Sequence, residues 1–222
     1  MLLTLTGCGS FQPRAHVRMD SSRRRERAVR LGREPGPPSG PATDLEPATL
    51  AGVVEDHRLE QFYWDEPTRA RLLARLGEYR APLLVGTPSL AVDAEKAGLR
   101  TYTLLDVDER FAFLPGFRRY DLFDDAETPE FDCDAIFCDP PFANFELDQL
   151  KAALTRLVGA ASLAGKLRWR GEPDVFIAYN AKREEALLQT FPSLRKIEQL
   201  GYLSVKPKTQ ANLWLYGSQD KT

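Results

Sequence analysis

An α/β fold built on a mostly parallel sheet is what this sequence predicts, and three observations carry that reading. Short apolar runs of strand length recur between residues 83 and 179, and most are followed by a stretch with helical spacing. Several of these runs are apolar throughout, as strands covered on both faces are. Two more strand-like runs close the chain with no helix between them, which predicts a C-terminal antiparallel hairpin and a sheet of seven strands.

Each element has its own signal. Asp65 as N-cap and Pro67 in the first turn predict a helix start; Leu72, Leu73 and Leu76 share one face, and Gly77 ends it. Leu83-Leu84-Val85 reads as a buried strand, followed by Gly86-Thr87-Pro88-Ser89 and a helix over 90–99. Thr101 to Leu105 reads as the second strand, ending in Asp106-Val107-Asp108, and Arg118 to Asp121 as a weaker third. Asp134 to Cys138 reads as the fourth, followed by Asp139-Pro140-Pro141-Phe142 and a helix over 147–158. Asp174 to Tyr179 reads as the fifth, followed by a helix through Glu184, Leu187 and Leu188. The terminal pair is expected near 197–205 and 211–217, with Lys206 to Gln210 at the tip of the hairpin.

Composition limits the function classes. With 43% hydrophobic and 28% charged residues in 222, collagen-like, coiled-coil and wholly disordered chains are excluded. No apolar run reaches the roughly 20 residues of a membrane span, so no membrane partner is expected. Cys8, Cys133 and Cys138 cannot form a disulfide framework, and with only His16 and His57 beside them no metal-ligand spacing exists. Cys133 and Cys138 lie in or beside an apolar run, which reads as reduced, buried thiols in a cytoplasmic protein. The charge is uneven: residues 1–40 hold eight arginines against three acids, a net of +5, so with −2 overall residues 41–222 carry −7. Arginine-rich and broken by Pro35, Pro37, Pro38 and Pro41, residues 1–47 are expected to be a disordered basic extension ahead of one domain over 48–222. The extension fits a solvated tail, a phosphate-gripping arm or an organelle-targeting peptide.

In a parallel sheet, ligands bind beyond the C-terminal strand ends, near the point where strand order reverses. The residues there are Gly86 to Ser89, Asp106, Asp108, Asp121 and Asp139 to Phe142. Asp139-Pro140-Pro141-Phe142 carries the most chemistry. Two prolines stiffen the turn and remove competing N–H donors. The Asp139 carboxylate and the Pro140 carbonyl then offer two acceptors to one NH2 group. Both N–H bonds are held, and the nitrogen lone pair is turned out of conjugation toward an electrophile. Phe142 gives a flat surface for a stacked ring.

This segment resembles the [DN]-P-P-[FYW] signature of amino methyltransferases. With its context the chain resembles the probable N6-adenine methyltransferases, a family that includes the elongation-factor-1α lysine methyltransferase and the zinc-knuckle ribosomal-RNA adenine methyltransferase. The matching context is Gln61-Phe62-Tyr63-Trp64, Gly86-Thr87-Pro88-Ser89, Leu105 to Phe111, and Phe131-Asp132-Cys133-Asp134, and the likeness spans roughly 58–217. It implies a Rossmann-like class I methyltransferase that uses S-adenosylmethionine. The first loop departs from the family's pattern in lacking a second glycine. Thr87 can still cap, Pro88 suits a first helical position, and the helix N-terminus still offers N–H groups to the cofactor's carboxylate. The zinc-binding modules are missing, which leaves target recognition to the basic tail and the Lys206/Lys208 loop.

The resemblance implies roles for the remaining residues. Asp106, with Asp108 in competition, would hold the cofactor ribose, and Asp121 its adenine amine. Phe62 and Trp64 would close over the cofactor or target, or else serve as a hydrophobic staple. Lys206 and Lys208 would meet nucleic-acid phosphates, or remain solvated. The expected target is adenine N6 of a nucleic acid, RNA ahead of DNA; the alternative is a protein lysine amine on a translation elongation factor, because the same acceptors orient either nitrogen. A monomer is expected.

Overall fold

A computed structural model of the chain describes residues 49–122, 131, 133–141, 146–163 and 173–218. The extension expected over 1–47 lies outside them, as does Phe142.

The described chain opens with β1 (Thr49–Leu50) and β2 (Val53–Val54), paired antiparallel. Both turn residues, Ala51 at φ 49° and Gly52 at φ 81°, are left-handed, the conformation that matches strand twist in a two-residue hairpin. A 3-10 turn at His57–Leu59 leads to α1 (Glu66–Leu76). Asp65 caps α1 as expected, accepting from the Thr68 N–H at 2.9 Å. Then follow β3 (Pro82–Val85), α2 (Pro88–Lys96), β4 (Thr103–Asp106), β5 (Phe117–Arg119) and β6 (Ala135–Cys138). α3 (Leu147–Leu163), β7 (Asp174–Asn180), α4 (Glu184–Thr190), β8 (Leu194–Gln199), α5 (Pro207–Gln210) and β9 (Leu213–Ser218) complete the order.

Seven strands form one sheet in the order β5-β4-β3-β6-β7-β9-β8. The first five run parallel, and β9 pairs antiparallel with both β7 and β8. The expected antiparallel pair is present at the edge, with β9 inserted between β7 and β8. Its bounds differ from the sequence reading: β8 ends at Gln199, and residues 200–212 form a long connection containing α5 rather than a tight tip.

Strand alternation divides the apolar residues into two cores. Leu84, Leu104, Phe137, Phe176 and Leu215 face α1 and α2. Leu83, Leu105, Ile136, Ile177 and Tyr216 face α3 and α4. Leu83, Leu84 and Leu104 are fully buried, and truncating any of them to alanine costs about 2–5 kcal/mol. Strand order reverses between β3 and β6, so the turns after β3, β4 and β6 open onto one crevice.

Candidate active site

A cleft of about 240 Å³ lies at these strand ends. Its floor is formed by Val85, Gly86, Leu105, Asp106, Asp139 and Pro140. Pro88 lines it from the first turn of α2, and Tyr120, Asp121 and Leu122 from the segment after β5. Leu59, Glu60, Gln61 and Phe62 cover it from the segment before α1, and Tyr202 from the connection between β8 and β9.

Gly86 sets the spacing between the β3 and β6 turns. Its φ is +64°, and a Cβ placed there would lie 2.8 Å from the Asp139 carbonyl oxygen. Its N–H donates to Leu105 O at 3.0 Å, while the Asp139 N–H donates to Val85 O at 3.0 Å. The backbone of three strand ends is thus drawn together at a residue that only glycine fits without strain.

Asp106 and Asp108 have different fates. Asp106 lines the cleft and accepts from the Asp108 N–H at 2.9 Å. Burial pushes its carboxyl up to about 6, against the pull of that backbone N–H. Asp108 is equally buried but does not line the cleft. It accepts from Arg110 at 2.8 and 2.7 Å and from the Gln61 side-chain amide at 2.9 Å. Burial opposes its charge, yet these hydrogen bonds prevail and hold its carboxyl below the usual range. Through Gln61 it fastens the covering segment, where Glu60 sits at φ 53° and Phe62 stacks on His57 with ring centroids 4.8 Å apart.

Asp139 is enclosed. The Tyr202 hydroxyl faces both carboxylate oxygens, at 3.1 Å from Oδ1 and 3.2 Å from Oδ2. Burial raises the Asp139 carboxyl to about 8, with the Tyr202 hydrogen bond acting the other way. Burial also raises the Tyr202 phenol well above its ordinary value, so it stays a neutral donor. The Trp64 indole nitrogen is buried without a hydrogen-bond partner beside this pair. Burial also pushes the Cys133 and Cys138 thiols up, which suits inert core residues.

Of the residues singled out from sequence, Gly86, Pro88, Asp106, Asp121, Asp139, Pro140, Pro141 and Phe62 meet in the cleft. Trp64 does not and needs correcting. It is 1% exposed, packed edge-on against Tyr202 at 6.4 Å in the core beneath the start of α1. Thr87 also differs from expectation: its side chain makes no capping hydrogen bond to α2, and its Oγ1 is buried without a partner. Ser89 is buried in the same turn, away from the cleft lining. Lys206 and Lys208, on the connection containing α5, are not part of the lining either. Tyr202 was missed. It stands 63 residues from Asp139 in an irregular connection, and no local pattern marks it. Among the described residues no group of three potential metal ligands exists.

The family model described as probable N6-adenine methyltransferase matches residues 55–213. No curated protein matches the sequence. Among solved structures, protein 1320 of Thermoplasma acidophilum is 18% identical, covering 75% of this chain and 93% of its own, with a TM-score of 0.44. The N-methyltransferase NodS of Bradyrhizobium japonicum, solved with S-adenosyl-L-homocysteine, is 13% identical over 71% of this chain and 88% of its own, with a TM-score of 0.42. The E. cuniculi Mtq2-Trm112 complex, which methylates the termination factor eRF1, is 14% identical over 72% of this chain and 98% of the matched chain, with a TM-score of 0.40.

Proposed function

The chain belongs to the probable N6-adenine methyltransferase family, and on that footing we propose that it transfers a methyl group from S-adenosylmethionine to adenine N6 of a nucleic acid, RNA ahead of DNA. The observation that carries this is the placement of Asp139-Pro140 in the lining of the cleft formed by the β3, β4 and β6 turns.

The residues at the other end fit an adenosyl ligand. Asp106 would accept from the ribose hydroxyls. Asp121, on the rim beside Tyr120 and Leu122, would receive the adenine amine. Thr87 Oγ1 and Tyr120 Oη are both buried without a hydrogen-bond partner. Each such group costs about 1–3 kcal/mol unless a ligand or water satisfies it. The N-terminus of α2 offers backbone N–H groups to a carboxylate. Phe62 and Leu59 exclude water from above.

S-adenosylmethionine supplies a methyl carbon on a cationic sulfur, which departs with its bonding pair as a neutral thioether. The chain provides position and a dry site. Asp139 and the Pro140 carbonyl accept the two N–H bonds of the target amine and aim its lone pair at the methyl carbon. After the N–C bond forms, the amine carries an extra proton. Burial has raised the basicity of Asp139, so its carboxylate is able to take that proton. A duplex base would first have to leave its stack, at a cost of a few kcal/mol, and a looped base less.

A lysine amine is the second reading. It is favoured by the −7 charge of residues 41–222, which suits a basic protein surface better than phosphate. Incubation with methyl-labelled S-adenosylmethionine and separated total RNA, DNA and protein decides between them. Label recovered as N6-methyladenosine supports the proposal; label confined to methyl-lysine replaces it with the second reading.

A further inference from the structure

Tyr202 enters the cleft from the connection between β8 and β9, and it is held there firmly. Its backbone bridges antiparallel to Trp64, and its N–H donates to the Gln210 side chain at 3.0 Å. Its neighbours are fixed too. Asp65 N–H donates to Gly201 O at 2.9 Å, and Gly201 N–H to the Thr68 hydroxyl at 2.8 Å. Leu203 N–H donates to Tyr63 O at 2.9 Å. Ser204 Oγ reaches the buried Glu55 carboxylate, which also accepts from the Tyr63 N–H at 2.6 Å. The ring is 4% exposed, and its hydroxyl lies nearly midway between the two oxygens of Asp139.

A single O–H placed this way can donate to either oxygen, and it fixes the plane of the carboxyl group. Each oxygen keeps lone pairs that Tyr202 does not use. We propose that Tyr202 is the positioning residue of the transfer reaction: it locks the Asp139 side chain in one rotamer and favours its ionised, acceptor-only form for the target amine. This rests on the methyltransferase reading of the cleft. Without the phenol, burial alone would act on the Asp139 carboxyl, and it would keep its proton to higher pH. A protonated oxygen would then meet the incoming N–H as a donor, and the amine would be misaligned.

The other charged groups around this cleft are Asp106, Asp121 and Glu60. All are acidic, and none supplies a donor to Asp139. Among the described residues, the Tyr202 hydroxyl is the side-chain donor in hydrogen-bond contact with that carboxylate. Its effect should therefore be seen in titration as well as in rate.

The test is Tyr202→Phe, which keeps the ring and its packing on Trp64, with Asp139→Asn as the spectroscopic reference. The carbonyl stretch of the protonated carboxyl is followed by infrared difference titration of the full chain, with no substrate present. Removing one hydrogen bond to a charged group should raise the midpoint by about one pH unit or more. In the transfer assay the acid limb of the pH–rate profile should move upward by the same amount, so the rate near neutral pH drops roughly tenfold and recovers at higher pH. Binding of S-adenosylhomocysteine should not change. An unmoved midpoint overturns the proposal, and so does a moved midpoint with an unmoved rate profile. A wild-type chain that titrates as stated but transfers no methyl group to any fraction overturns the functional reading instead, since the infrared signal decides the Tyr202 contact by itself.

Discussion

The two ends of the cleft are built in opposite ways. At the end proposed for the cofactor, Gly86, Pro88, Asp106 and Asp121 come from the parallel half of the sheet, at or just beyond the ends of β3, β4 and β5. At the end proposed for the amine, Asp139 comes from the turn after β6, but its partner Tyr202 arrives from the antiparallel edge, on the connection between β8 and β9. The cofactor end is therefore assembled from local turn chemistry, whereas the amine end depends on a contact between distant parts of the chain. Damage to the two ends should separate binding from chemistry.

The largest expected effect is at the amine end. Asp139→Ala should lower methyl transfer by at least about a hundredfold, as loss of a charge-orienting group does in other sites. S-adenosylhomocysteine affinity, measured by calorimetry, should hold. A variant with near wild-type turnover would refute the amine-orienting role.

Next comes a stability effect of the same residue. Burial raises the Asp139 carboxyl from 3.8 to about 8, so between those values the folded chain keeps a proton that the unfolded chain has lost. Its contribution to stability is full below about pH 4 and is lost as pH rises to about 8. Asp139→Asn keeps the shape without the titration. Its gain in melting temperature over the wild-type chain should therefore widen from about pH 5 to about pH 9. A constant difference across that range would mean that Asp139 is not the buried titrating group.

Gly86→Ala should destabilise the fold by roughly 1–3 kcal/mol from the left-handed φ alone, and further because its Cβ would meet Asp139 O at 2.8 Å. Gly98, at φ +78° with nothing within 4 Å of its Cβ position, carries the φ penalty without the collision. Denaturant midpoints should rank Gly86→Ala well below Gly98→Ala, and equal midpoints would remove the close approach as a design element of the site.

The smallest effect separates the two carboxylates of the β4 turn. Asp106→Ala should weaken S-adenosylmethionine binding by about tenfold, the equivalent of one hydrogen bond to a charged group. Asp108→Ala should leave affinity nearer the wild-type value and reduce stability, because Arg110 and Gln61 lose their shared acceptor. The reverse pattern would assign the ribose to Asp108.

Much of this molecule can be read before folding. The caps at Asp65 and Gly77, the all-apolar strands around Leu84 and Ile136, and the stiff Asp139-Pro140-Pro141 corner are local. Dihedral preferences and side-chain periodicity act over a few residues, so sequence alone determines the layered fold and the turns that face the crevice. Packing decided the rest. Asp106 and Asp108 are alike in sequence, and only the position of Arg110 and Gln61 turns one to a clamp and leaves the other to the cleft. Sequence left Trp64 open between covering the cleft and a hydrophobic staple, and the chain around Tyr202 buries it in the core. Tyr202 gained its place because the connection between β8 and β9 crosses to the mouth of β6. Burial and hydrogen bonding between segments this far apart in sequence, 47 residues for Gln61 and Asp108 and 63 for Asp139 and Tyr202, depend on where the whole chain lies, and no short stretch of sequence encodes that.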